Sequence, residues 1–379
     1  MSQSDPLRPS AVAKVAACRG LRPWGVVEKG NLVYTKGDEK YFVVDGHIHY
    51  WDASPANWLP GAENYAKGWI ECFHGYQGLG PAETHWGLEK FQKYDEADLM
   101  GDVFEAGHVD VAIFQPTYLR SWYRDGFNTT ERNATLFEKH PGKFVLNTRW
   151  DPREGAEGLK RLSENVQRWG CTGAKLYTAE WRDGSRGWTL KDPEAFRFLE
   201  RCQELGVRNI HVHKGPTIWP LDKDSFDVGD IDVAATMFPE LNFIVEHVGF
   251  PRFEDFCFIA VQEPNVYAGL SVIIGGLMHA RPRMFAKVMG ELLFWLGEDR
   301  LVFGSDYAIW EPRWQVEGFV DWDYPGGEEF SEYPPVNSAT KKKILGLNAA
   351  RLYGIDVPAE CRLPLSPAPE APTLAPEPV

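Results

Sequence analysis

Eight short apolar runs, separated by longer stretches of helical periodicity, predict an α/β fold: a (β/α)8 barrel of parallel strands. Two further observations point the same way. Eight is the strand number that closes a parallel sheet on itself. The histidines also gather at the C-terminal ends of the runs, where barrels of this kind place their chemistry.

Residues 1–40 are polar and read as an N-terminal arm with a short hairpin near Asn31–Tyr34. The first strand is 42–48, an apolar run that leads into Asp45-Gly46-His47-Ile48-His49. Residues 50–94 are rich in Trp, Gly and His and lack strong periodicity. An insertion of that length is usually functional, and it is expected to form a lid after the first strand. A helical stretch from Asp95 stops at Gly107, and the second strand is 109–115, ended by Pro116. Residues 127–140 are helical and lead to the third strand, 144–150. Helix 153–169 leads to strand four, 172–177. Helix 192–205, with Asp192 as its cap and Pro193 at its first position, leads to strand five, 208–213. Helix 230–238 precedes strand six, 242–248, and helix 252–262 precedes strand seven, 265–272. Helix 281–296 precedes strand eight, 300–306, and helical segments near 312–320 and 338–353 follow. The barrel domain is therefore taken as 41–356. Residues 357–379, rich in Pro, Ala and Glu, are expected to be a disordered tail.

Composition removes several classes of function. The chain has 379 residues, 44% of them hydrophobic, enough for one large core. Its formal net charge of -14, without a basic block, argues against nucleic acid as a partner. No run approaches the ~18 apolar residues of a membrane span, and the polar first residues lack a signal-peptide core, so a cytoplasmic location is expected. Six scattered cysteines suit reduced thiols better than a disulfide frame.

Alternate side chains of a strand share a face, so His47 and His49 point the same way, with Cβ atoms roughly 6–7 Å apart. Two neutral imidazoles at that spacing can close on one transition-metal ion. The pair gains weight from what ends the later strands: Lys175 on the fourth, His211 and His213 on the fifth, Glu246-His247 on the sixth, and Asp306 in Gly304-Ser305-Asp306-Tyr307 on the eighth. Any one of these has a plain structural explanation, a core histidine or a helix cap; all of them together do not. His213 lies nearer the open end than His211 and is the better ligand. Glu246 points away from His247 and reads as structural. Arg149 is the candidate clamp for a substrate carboxylate, with Arg252 second. Trp51, Trp150, Trp181 and Trp219 are candidate walls, and Tyr177 shares the face of Lys175.

Asp45-Gly46-His47-Ile48-His49, His213, Glu246-His247 and Gly304-Ser305-Asp306 resemble the amidohydrolase superfamily, in particular its amidohydrolase-2 branch. That branch holds decarboxylases of the aminocarboxymuconate-semialdehyde and resorcylate type and a pyrone-dicarboxylate lactonase. The resemblance runs from about 42 to 353. It implies a distorted (β/α)8 (TIM) barrel in which His47, His49 and Asp306 hold a first metal and His213 also binds metal. In single-metal members a histidine in the place of His247 is the general acid/base. In two-metal members a lysine in the place of Lys175 is carboxylated by CO2 and bridges the ions, and His213 and His247 then hold the second. One or two divalent ions per chain, Zn, Mn or Fe, both stay open.

An ion held by imidazoles and a carboxylate stays a strong Lewis acid and can bring water towards a pKa of about 7. Asp306 or His247 would take the water's proton, for attack on an acyl carbon or to assist protonation of a substrate carbon as CO2 leaves. The expected function is hydrolysis or decarboxylation of a small carboxylated molecule. The alternative is a carboxylate-bridged dinuclear Fe/Mn monooxygenase. The stretch His213-Lys214-Gly215-Pro216-Thr217-Ile218-Trp219 is similar to the 2-aminoisobutyrate hydroxylase system, which implies hydroxylation of a small amino acid and a related subunit as partner. A homo- or hetero-oligomer is expected in either case.

Overall fold

The computed structural model describes residues 33–364. Most of the expected arm (1–32) and of the expected tail (365–379) lies outside the described residues. The hairpin expected near 31–34 sits a few residues later, with Tyr34–Lys36 antiparallel to Glu39–Tyr41. Its turn falls at Gly37, whose positive φ favours glycine.

Eight parallel strands follow: β1 (Val44–Ile48), β2 (Val111–Phe114), β3 (Phe144–Leu146, continued by Thr148–Arg149), β4 (Gly173–Leu176), β5 (Asn209–His213), β6 (Asn242–Glu246), β7 (Val266–Gly269) and β8 (Leu301–Val302). The sheet breaks inside β3. Its first half pairs with β2, and its second half pairs with β4 and starts the run β4–β5–β6–β7–β8. The barrel closes between its first and last strands. Gly46 donates to the Phe303 carbonyl at 2.9 Å, Asp306 to the His47 carbonyl at 3.0 Å, and His49 to the Tyr307 carbonyl at 2.7 Å. Glycine is needed on both sides of this seam. A Cβ on Gly46 would lie 2.7 Å from the Phe303 oxygen, and one on Gly304 would lie 2.7 Å from Cβ of His47.

The strands are buried on both faces, as expected of a parallel sheet covered by helices. The helix Pro193–Leu205 shows how the cover forms. Proline opens it, Gly206 in the left-handed region ends it, and Ala195, Phe198, Leu199 and Cys202 make the buried stripe. Each large apolar side chain removed from water there stabilises by about 1.5–3 kcal/mol. Asp192 does not cap this helix with its side chain; its carboxylate accepts from the Thr189 amide instead.

Two strands end earlier than their apolar runs suggest. The β6 ladder stops at Glu246 because His247 and Val248 turn to φ of 66° and 48°. The β8 ladder holds only Leu301–Val302, and Asp306 leaves it with φ of 61°. The insertion is partly regular. It contains the helix Glu63–Gly75, whose buried face is Ala66, Trp69, Ile70 and Phe73. Among the described residues, no helix is long and apolar enough to cross a membrane.

Candidate metal centre

His47 and His49 leave β1 with both rings inside the barrel mouth, centroids 4.9 Å apart. Asp306 meets them across the seam: its Oδ1 lies 3.1 Å from Nε2 of His49 and 3.7 Å from Nε2 of His47. One donor atom from each of the three falls within 4.8 Å of the others, and all three residues are buried.

The hydrogen bonds behind the rings fix their tautomers. His47 Nδ1 sits 2.9 Å from the Glu246 carboxylate and His49 Nδ1 sits 2.8 Å from the Gln115 carbonyl. Neither partner can donate, so each Nδ1 carries the proton. The Asn128 amide, 2.8 Å from His49 Nδ1, directs its hydrogen to the same Gln115 carbonyl. Both Nε2 lone pairs therefore face the Asp306 carboxylate. Three acceptors turned on one another in a buried space repel unless a cation lies between them, so these residues fit a divalent metal.

The electrostatics agree. Burial, helped by the Lys175 ammonium, drives His47 down to about 3, so its ring is neutral. Burial would raise Asp306, but the surrounding His47, His49 and His247 hold it well below the usual carboxylate range. His47 cannot both be neutral and lend Asp306 its charge. Burial keeps His47 neutral and the bare Nε2 of His49 offers Asp306 no proton, so the ionised Asp306 leans on the ammonium of Lys175, for which Asp306 is in turn a favourable neighbour. Burial lowers Lys175 to about 8, against the pull of Glu246 and Asp306.

The other expected ligands stand beside this group. Lys175 Nζ is 3.4 Å from Nε2 of His47. His247 and His213 face each other, Nε2 to Nδ1, at 3.2 Å, and His247 Nδ1 donates to the Ser271 carbonyl at 3.0 Å. Neither His213 nor His247 belongs to the compact three-donor group. Nε2 of His213 and the hydroxyl of Tyr177 are buried without a partner. The site's rim holds non-glycine residues in the left-handed region, His247, Val248, Val272 and Asp306, a concentration of backbone strain typical of functional sites.

Above the histidines lies a cleft. Tyr177 lines it, as do Trp69, Phe73 and Tyr76 from the insertion. Neither expected clamp and none of the four expected tryptophan walls does. Arg149 is buried in ion pairs with Glu154 (2.8 Å) and Glu180 (3.4 Å) and lies over the Tyr118 ring, so its guanidinium is already engaged. Trp150 packs between Trp188 and Phe198. Trp51 stacks on Phe127 and donates to the Phe91 carbonyl. Arg252 is exposed and paired with Asp227. Trp181 packs on Trp122, and Trp219 lies exposed against Tyr65. Three residues that sequence reasoning set aside or missed do matter here. Glu246 holds His47, because His247 leaves the strand geometry and the period-two rule that turned Glu246 away no longer applies. The walls Trp69 and Phe73 carry a readable signal: Ala66, Trp69, Ile70 and Phe73 have helical spacing.

Comparison with known proteins bears on this arrangement. Residues 44–355 match the family model described as Amidohydrolase (Amidohydro_2). No curated protein matches the chain. Among solved structures, an uncharacterised TIM-barrel protein from Bordetella bronchiseptica shares the fold with a TM-score of 0.58 at 18% identity, over 83% of this chain and 98% of that one. A 2,6-dihydroxybenzoate decarboxylase complexed with 2,6-dihydroxybenzoate gives 0.53 at 15% identity, over 83% and 99%. A 5-carboxyvanillate decarboxylase from Novosphingobium aromaticivorans, with bound manganese and 3-methoxy-4-hydroxy-5-nitrobenzoic acid, gives 0.55 at 14% identity, over 85% and 100%.

Proposed function

The chain belongs to the Amidohydrolase family, a metal-dependent hydrolase and decarboxylase lineage, and from that premise we propose that it cleaves a small aromatic acid, releasing CO2. The observation that most supports a metal is the convergence of the His47 and His49 lone pairs on Asp306. The aromatic wall of Trp69, Phe73 and Tyr76 supports a flat apolar substrate. Among the described residues no arginine lines the cleft, which favours a substrate whose polar groups all lie at the histidine end.

His47, His49 and Asp306 would hold the ion. A bound divalent cation supplies Lewis acidity, polarising substrate oxygens or a water. The chain's own residues do the rest. Glu246 and the Gln115 carbonyl keep both Nε2 atoms free of protons. The aromatic wall excludes water and stacks the ring of the substrate. His247 is oriented by the Ser271 carbonyl, and together with His213 it would hand a proton to the carbon that loses CO2.

A second reading has its own observation. The nitrogen pair of His213 and His247, 3.2 Å apart, with the buried Lys175 beside His47, also suits a second ion if the lysine amine takes up CO2 as a carbamate. Metal stoichiometry separates the two: one ion per chain leaves the histidine pair to handle protons, and two make it a ligand pair. The dinuclear oxygenase alternative is not favoured by the family match.

The test is CO2 release from a panel of hydroxylated benzoates by protein loaded with manganese or zinc. Turnover that vanishes on chelation and returns with metal is expected. Protein that binds no divalent ion would refute the reading; protein that binds metal but hydrolyses lactones or amides, and leaves the benzoates intact, would correct its reaction class.

A further inference from the structure

Beneath the cleft, the barrel interior holds a line of buried hydrogen bonds that runs between the two metal-facing imidazoles. Glu246 begins it. One carboxylate oxygen accepts from His47 Nδ1 (2.9 Å) and Ser271 Oγ (3.1 Å), and the other lies 2.5 Å from Nδ1 of His211. His211 Nε2 is 2.7 Å from the Tyr353 hydroxyl, which donates to Asn147 Oδ1 at 3.0 Å. Asn147 donates to Gln115 Oε1 at 3.2 Å. Gln115 closes the line twice over: its amide donates to the Gly46 carbonyl at 2.7 Å, and its own carbonyl accepts from His49 Nδ1.

Space has been kept for these groups. A Cβ on Gly173 would lie 2.2 Å from Asn147 Oδ1 and 2.6 Å from the Tyr353 oxygen, and one on Gly269 would lie 2.4 Å from the Glu246 carboxylate. Apolar side chains fill such space at lower cost, since a buried polar group is stabilising only when every partner is present. What the network adds over an apolar filling is direction: it sets the rotation of both imidazoles. Tyr353 is the member farthest along the chain, on Asn348–Tyr353, the last α-helix among the described residues, and it does not line the cleft.

We propose that Tyr353 is a positioning residue for the metal centre, acting through His211 and Glu246 on His47. The inference rests on the reading of His47, His49 and Asp306 as metal ligands.

The test is Mn2+ affinity, read from the EPR signal of free Mn2+, for wild type, Tyr353→Phe, Glu246→Gln and the double variant, with the melting temperature of each metal-free protein beside it. Phenylalanine keeps the ring and removes only the hydroxyl. Tyr353→Phe should weaken Mn2+ binding by about 10- to 100-fold, the usual range for groups that orient a ligand. The double variant should bind no more weakly than Glu246→Gln alone, because both changes cut one line. Should Tyr353→Phe not fold, His211→Gln cuts the same link and should show the same loss. Unchanged Mn2+ affinity with a lowered melting temperature would overturn the proposal, since Tyr353 would then only pack. Full additivity with Glu246→Gln would overturn the route through Glu246. Wild type that binds no metal would remove the ligand reading and this inference together.

Discussion

Gly304→Ala is the sharpest probe of the seam. Gly304 has no positive φ, so alanine is acceptable to its backbone; the obstacle is space. The new methyl would sit 2.7 Å from Cβ of His47, 3.2 Å from its amide nitrogen and 3.3 Å from Cβ of Ser271, where ordinary contact begins at 3.4 Å. His47 must yield by about 0.7 Å, yet its backbone is pinned, its carbonyl held by Asp306 and its neighbour Gly46 held by Phe303. Ligand distances tolerate only about 0.2 Å. A displaced ligand should therefore cost about 10- to 100-fold in metal affinity, about 1.4–2.8 kcal/mol. Overpacking should cost the metal-free fold a further ~1–3 kcal/mol. Chelator competition measures the first quantity and a denaturant midpoint the second. Gly101→Ala, with nothing within 4 Å, is the control. Metal affinity and midpoint both equal to wild type would refute the reasoning, because the seam would not be rigid at His47.

Three further expectations concern other parts of the site. Arg149→Met leaves Glu180 without its buried ion-pair partner, while Glu154 keeps Arg161 and Arg182, so unfolding free energy should fall by about 3–5 kcal/mol with metal affinity retained; a variant as stable as wild type but defective in substrate binding would restore Arg149 as a clamp. Burial pushes the Asp45 carboxyl up to about 7 despite hydrogen bonds from Ser305 and His47. The folded state then holds its proton more tightly than the unfolded one, so metal-free protein should lose stability as pH rises from 3.8 to about 7. Asp45→Asn should flatten that slope, and an identical slope in both proteins would show that another group sets it. Phe73→Ala opens the aromatic wall and should weaken aromatic-acid binding by about 1 kcal/mol or more while metal affinity stays put; equal binding would place the ring elsewhere.

Strand count and order were legible because each strand is a short apolar run bounded by polar or glycine-rich sequence, a pattern that parallel strands buried on both faces must show. Strand ends were not. His247 and Asp306 leave the ladder through left-handed backbone, which non-glycine residues seldom adopt and which strand periodicity does not encode. That departure also hid Glu246, which alternation alone assigned to the wrong side. Arg149 misled for a different reason: a strand-end arginine is equally suited to a substrate carboxylate or to a buried glutamate, and Glu180 is 31 positions away. Tryptophans divide in the same way. Trp51 and Trp150 serve the core, while Trp69 reaches the cleft because a helix in the insertion turns it there.

The donors of the proposed ion come from the first and last strands of the barrel, His49 and Asp306 being 257 positions apart in the chain. An ion seated between them would act as a clasp on a closed belt. It could not be captured by a half-made chain, since the buckle is complete only when the eighth strand docks against the first. Loading would then be a late event in the life of the molecule, and loss of the ion would loosen the belt at its join before anywhere else.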